Sequence, residues 1–208
     1  MPVRIALWSF QEGLCSETSN RRRLLRPKEN VPKDQPVLYI GNHRSYFDII
    51  ITYSRCPRLT GYVAKDSMKK VPLLSVWMSR LHCLFINRSD VKEALKTILA
   101  GIDNIKNGIS MCIFPEGTRN KTEDLMLPFK EGSFKMAEKT GCLIVPMAIS
   151  GSADILEAHF PKVKPVHVIV EYGKPIDPKS LDKDTRKKIG SHCQGVIAEM
   201  LEKNNPQI

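Results

Sequence analysis

From residue 36 onward the hydrophobic pattern changes period repeatedly, and few architectures accommodate that rhythm. Short apolar runs rich in β-branched and aromatic residues stand at VLYIG (37–41), LTGYVAK (59–65), CLFIN (83–87), ISMCIF (109–114), LIVPMAIS (143–150) and VHVIVEY (166–172). Each is bounded by polar residues, glycine or proline, which is the signature of a strand. Longer amphipathic stretches lie between them. In DVKEALKTILAGIDNIKNG the residues Val91, Ala94, Leu95, Ile98, Leu99, Ile102 and Ile105 recur at helical spacing and predict one apolar stripe. Asp90 with Glu93 suits the start of that helix, and Gly108 its end. A second helix is predicted over 182–203, with Ile189, Val196, Ile197, Met200 and Leu201 on one face. Strands alternating with helices imply a single α/β domain with a mostly parallel central sheet flanked by helices and joined by right-handed crossovers. Residues 1–35 carry the least pattern and are set apart as an N-terminal segment from the domain at 36–208.

Composition narrows the function. The 208 residues hold 32 Lys and Arg against 22 Asp and Glu, a net charge of +10, which favours anionic partners. With only seven Phe, five Tyr and two Trp, no basic stretch is interleaved with aromatics as a base-stacking platform requires, so nucleic acid is not the expected partner. No apolar window reaches the length of a membrane-spanning helix. The opening MPVRIALWSFQEGLC is too soon interrupted for a secretory signal, and an intracellular protein is expected. The six cysteines, at 15, 56, 83, 112, 142 and 193, are too widely spaced for a metal knuckle and read as reduced, buried thiols.

The stretch GNHRSYFDII (41–50) follows the first strand and opens a helix. Within one regular helix His43 and Asp48 would point about 140° apart and could not meet. With Ser45 as N-cap, however, Asp48 stands at the third helical position, from which a carboxylate reaches back to the entering chain where His43 lies. Two readings remain: Asp48 merely caps the helix, or it orients the imidazole and stabilises its protonated form while the other ring nitrogen takes a proton.

A second constellation, IFPEGTRN (113–120), also follows a strand, and loops leaving the carboxyl ends of parallel strands share the edge where ligands bind. Glu116, Thr118 and Arg119 are therefore candidates to face His43. Gly117 permits close backbone approach, and Arg119 offers a planar donor fork suited to phosphate. Arg88 after LFIN and Lys65 closing GYVAK bring two further cations to the same edge.

These residues resemble the glycerolipid acyltransferase family, which includes the lysophosphatidate acyltransferases. NHRSYFD matches the NHxxxxD block, LFINR the block ending in arginine, FPEGTR the third, and LIVPMAI, with Pro146, the fourth. The resemblance covers about residues 36–150. It implies a catalytic dyad of His43 and Asp48, with Arg88, Glu116, Gly117, Thr118 and Arg119, joined by Lys65, at the glycerol phosphate acceptor. It implies acyl transfer from acyl-CoA or acyl-carrier protein to the sn-2 hydroxyl of 1-acyl-glycerol-3-phosphate, giving phosphatidic acid in phospholipid biosynthesis. No cofactor and no metal are expected. A different lysolipid acceptor, or a non-catalytic phospholipid-binding role, is the alternative. A covalent route through Cys112 competes with the dyad, although a core position is expected for that thiol.

Family members often carry an N-terminal hydrophobic anchor, and here only 42 residues precede His43, without a long apolar segment. A long-chain lysophospholipid resides in a bilayer, since each buried methylene is worth about 0.8 kcal/mol, so the enzyme is expected to come to the membrane surface as a peripheral protein on its cytoplasmic side. IALWSF, RRRLLR and VPLLSVWMSRLHCLF are the candidate docking segments, the last also readable as a helix in the core or beside an acyl channel.

Overall fold

All six apolar segments form strands in the computed structural model of the protein, which describes residues 30–208. They are β1 (Leu38–Gly41), β2 (Thr60–Lys65), β3 (Leu84–Ile86), β4 (Ser110–Ile113), β5 (Ile144–Ser150) and β6 (Ile169–Tyr172). One sheet takes them in the order β3-β2-β4-β1-β5-β6. Every neighbouring pair is parallel except β5 with β6, which closes one edge antiparallel. Leu38 of β1 lies opposite Met111 on one side and Ile144 on the other.

Strands β1, β4 and β5 are buried at every position, as their unbroken apolar runs require of strands covered on both faces. Side chains alternate between two layers. Leu38, Ile40, Met111 and Ile113 face one layer with Phe134, Met136, Ile189, Ile197 and Leu201. Tyr39, Cys112, Val145, Met147 and Ile149 face the other with Tyr62, Phe114 and Tyr172. The helices are α1 (Phe47–Tyr53), α2 (Leu74–Arg80), α3 (Val91–Lys106), α4 (Lys135–Thr140), α5 (Lys183–Lys187) and α6 (Ile189–Asn204). Because β1 to β4 run parallel, the segments that follow them all leave at one edge, and β1 and β4 are neighbours there.

Three sequence expectations change. Asp90 caps α3 through the amides of Lys92 and Glu93, as expected, but the apolar stripe divides. Gly101, Ile102 and Ile105 are buried whereas Val91, Leu95 and Leu99 are exposed. The covered face runs through Ile98, Gly101, Ile102 and Ile105, and at about 100° per residue Leu95 and Leu99 fall on its flank, while Val91 stands in the first turn. The helix expected over 182–203 breaks at Lys188, whose ψ of 36° separates α5 from α6. The segment VPLLSVWMSRLHCLF is not a core helix: Met78 alone is buried in α2, Val76 is exposed, and Leu73 is 85% exposed at a φ of 61°. IALWSF, RRRLLR and Cys15 lie outside the described residues.

Candidate active site

The turn from β1 into α1 places His43. Asn42, fully buried, donates through Nδ2 to the Ile149 carbonyl at 2.8 Å and accepts at Oδ1 from the Ile149 amide at 2.8 Å, which pins the end of β1 to β5. The chain then turns, and the Ser45 hydroxyl accepts from the Phe47 amide at 3.1 Å. Asp48 reaches back with one oxygen: Oδ2 accepts from the Ser45 amide at 2.8 Å, the Arg44 amide at 2.9 Å and His43 Nδ1 at 2.8 Å. Both readings of the decapeptide therefore hold at once, because the capping carboxylate is also the partner of the imidazole. The helix begins one residue later than expected, at Phe47 with Tyr46 before it, yet Ser45 still supplies the capping side chain. Three donors on one oxygen offset the cost of burying the Asp48 charge completely.

A carboxylate on Nδ1 requires the proton there and leaves Nε2 as the acceptor. The ring stacks on Phe114 with centroids 4.3 Å apart and planes 13° from parallel, and its side chain stays 15% exposed. Nε2 has no hydrogen-bond partner among the described residues.

The loop after β4 meets this turn directly. Glu116 Oε1 accepts from the His43 amide at 2.6 Å across 73 positions of sequence, and the Asn120 amide donates to the His43 carbonyl at 2.7 Å. The peptide groups on both sides of His43 are thus gripped by one loop. Glu116 Oε2 accepts from the Leu127 amide at 2.8 Å, so both of its oxygens are engaged by backbone. Burial pushes its carboxyl above the ordinary range, opposed by those two amides and by nearby His43 and Arg44.

Two groups of cations flank the turn. Gly117, at a φ of 80°, has no side chain, and a Cβ there would stand 2.9 Å from Lys130 Nζ and 3.3 Å from Arg88 Nη1. The two cations are neighbours over this glycine, and neither has a carboxylate partner among the described residues. Burial lowers the Arg88 guanidinium from its ordinary value. Arg119 goes the other way: it lies over the Tyr46 ring, 3.5 Å from the centroid, and pairs with Glu157 Oε1 at 3.1 Å. Thr118 and Lys65 are exposed, Lys65 at the end of β2. Pro146 sits inside β5 rather than in a turn, its carbonyl accepting from Gly173. Cys112 is 1% exposed, and burial pushes its thiol well above the ordinary range, so the thiolate a covalent route needs is disfavoured.

Asn42 opens the NHxxxxD block and Asn120 closes IFPEGTRN, although the motifs did not single out either side chain, while Lys130 in LPFKEG and Glu157, distant from every block, carry no signal of their own.

A family model described as Acyltransferase matches residues 22–150. The chain belongs to the acyltransferase family. Within that family it is 35% identical over 177 residues to the 1-acyl-sn-glycerol-3-phosphate acyltransferase of Saccharomyces cerevisiae, covering 84% of this chain. It is 28% identical to the protein of the same description from Borreliella burgdorferi, covering 96% of this chain and 76% of that one. The chain spans only 57% of the length of the yeast relative. A solved acyltransferase structure, the 1-acyl-sn-glycerophosphate acyltransferase of Thermotoga maritima, matches 86% of this chain and 70% of its own with a TM-score of 0.75 at 26% identity. The acyltransferase-family fold is therefore shared well beyond the motif loops.

Proposed function

We propose that the protein moves a fatty acyl group from an acyl thioester to the sn-2 hydroxyl of 1-acyl-glycerol-3-phosphate, producing phosphatidic acid. The observation that carries this is the 2.8 Å bond from His43 Nδ1 to Asp48, with Nε2 unpartnered among the described residues beside a cation-rich sheet edge. The names of the relatives from yeast and Borreliella support the same acceptor. In the reaction Nε2 takes the hydroxyl proton as that oxygen attacks the thioester carbonyl, and Asp48 stabilises the imidazolium formed. Collapse of the tetrahedral intermediate breaks the carbon–sulfur bond, and the imidazolium returns the proton to the departing thiolate. His43 and Asp48 are the catalytic residues, and Glu116 is a positioning residue through the His43 peptide. Arg88 and Lys130 above Gly117 meet the acceptor phosphate from one flank of the turn and Arg119 from the other, with Lys65 and Thr118 as further candidate contacts. The test is a panel of lysolipid acceptors against acyl-CoA and acyl-carrier-protein donors, with product identified by mass; failure of every lysophosphatidate pairing would refute the reading.

Lys130→Ala is expected to raise the KM for lysophosphatidate by roughly ten- to a hundredfold, the usual worth of a hydrogen bond to a charged group. Monoacylglycerol, which lacks the phosphate, should show little change, and equal losses on both acceptors would count against the assignment.

The acceptor's solubility calls for a bilayer surface, and the exposed Leu73 and Val76, next to Lys69, Lys70 and Arg80, form a side suited to one with anionic headgroups. Insertion into lipid would bury the Leu73 side chain, which is 85% exposed, and its transfer from water favours that docking. Among the described residues no helix is long and apolar enough to cross a membrane. Flotation with vesicles containing phosphatidylglycerol at low salt should carry the wild type and lose most of Leu73→Ala, while no binding by the wild type would dispose of peripheral attachment through this side.

A further inference from the structure

We propose that Glu157 is a resident anion at the acceptor site, holding Arg119 until the substrate phosphate takes its place. Glu157 lies in a short 3-10 segment (Glu157–His159) beyond the end of β5. Its Oε2 accepts from the Ser45 hydroxyl at 2.7 Å, and its Oε1 accepts from the Tyr46 amide at 2.8 Å and from Arg119 Nη1 at 3.1 Å. One carboxylate therefore joins the turn that carries His43 to the arginine of the FPEGTR loop.

Its geometry is that of an oxyanion ligand. Two oxygens receive a hydroxyl, a backbone amide and a guanidinium, the donor types that recognise a phosphate monoester. The Arg119–Glu157 pair is partly withdrawn from water, its side chains 20% and 21% exposed, so the guanidinium is neutralised and held in place over Tyr46. Arg88 and Lys130, on the other flank of the turn, have no carboxylate partner among the described residues. An acceptor phosphate that reaches Arg119 therefore competes with Glu157 for Nη1, whereas one on Arg88 and Lys130 displaces no described carboxylate. Exchange of one anion for another at Nη1 requires no bond to break at Ser45 or Tyr46, so the His43 turn keeps its support while the acceptor binds. Glu157 thereby sets how strongly the site holds an anion, because its charge opposes any second negative group drawn to Arg119.

This inference rests on the reading of Arg119 as a phosphate ligand, and binding measured without turnover separates the two. Glu157→Gln removes the charge and keeps an acceptor for the Tyr46 amide, while its new amide donates to Ser45 Oγ and so reverses the wild-type bond there. With sn-glycerol 3-phosphate as the probe, its dissociation constant by calorimetry is expected to tighten roughly two- to fivefold, the scale of a partly exposed ion pair. Arg119→Ala should weaken binding, and in the Arg119→Ala/Glu157→Gln double variant the gain should vanish. The acceptor KM should fall in Glu157→Gln, with the thioester KM unmoved. Unchanged or weaker binding by Glu157→Gln at an unaltered melting temperature overturns the proposal, as does a gain that persists without Arg119. Tighter binding in a protein that transfers no acyl group to lysophosphatidate would sink the acyl-transfer reading and leave the anion exchange standing.

Discussion

His43→Ala should lower the rate of acyl transfer to lysophosphatidate by about 10²–10⁴-fold, the usual range for a positioned general base. Fold should survive, because the imidazole is an outer member of its cluster: one face stacks on Phe114, the ring is partly exposed, and the loop grips the backbone of position 43 rather than its side chain. Substrate affinity should change little, so the loss appears in kcat. Asp48→Asn provides the companion measurement. Its carbonyl oxygen can replace Oδ2 toward the same three donors, but its amide then occupies the place of Oδ1, which is buried without a partner among the described residues, and the charge that stabilises the imidazolium is gone. A loss of similar size in kcat is expected, with some loss of stability added. A folded His43→Ala protein turning over at near wild-type rate would remove the dyad from the mechanism.

The second large effect falls on stability. Asn42→Asp should destabilise the fold by on the order of 3–5 kcal/mol, the cost of leaving an uncompensated charge in the interior. Asn42 is 1% exposed, and its amide and carbonyl match the carbonyl and amide of Ile149 one to one. Aspartate preserves the shape but cannot donate, so a carboxylate oxygen would face the Ile149 carbonyl oxygen across a hydrogen-bond distance. For a chain of this size each kcal/mol moves the melting temperature by about 2–4 °C, so the drop is easily read by thermal or urea unfolding. Asn42→Ala, which leaves both Ile149 groups unsatisfied without adding charge, should cost less. An Asn42→Asp protein that melts with the wild type at neutral pH would show that the 42–149 tie contributes little.

The sheet was legible in the sequence because buried strands leave a local trace: a short apolar run bounded by turn residues identifies β1 or β5 without reference to any partner. The His43–Asp48 contact was legible only as one of two readings, since a carboxylate three residues after Ser45 can cap the helix with or without meeting the imidazole, and the ten residues did not choose between them. What α3 buries was not legible in that way. Val91, Leu95 and Leu99 fit the helical period as well as Ile102 and Ile105 do, and only the placement of the helix on the sheet decides which edge of the stripe is covered. Glu157 shows the limit most clearly. Its contacts reach Ser45 over 112 positions from a 3-10 segment with no period of its own, so nothing near it in sequence announces a role.

The grip of the 116–120 loop on the peptides around His43 has a consequence for how the protein comes into being. The base cannot be set in place by the N-terminal part of the chain alone, however early that part leaves the ribosome. It must wait for β4 and the residues behind it, 73 positions later, before its backbone has partners. A nascent chain halted short of Glu116 would carry the histidine and the aspartate and still be chemically mute.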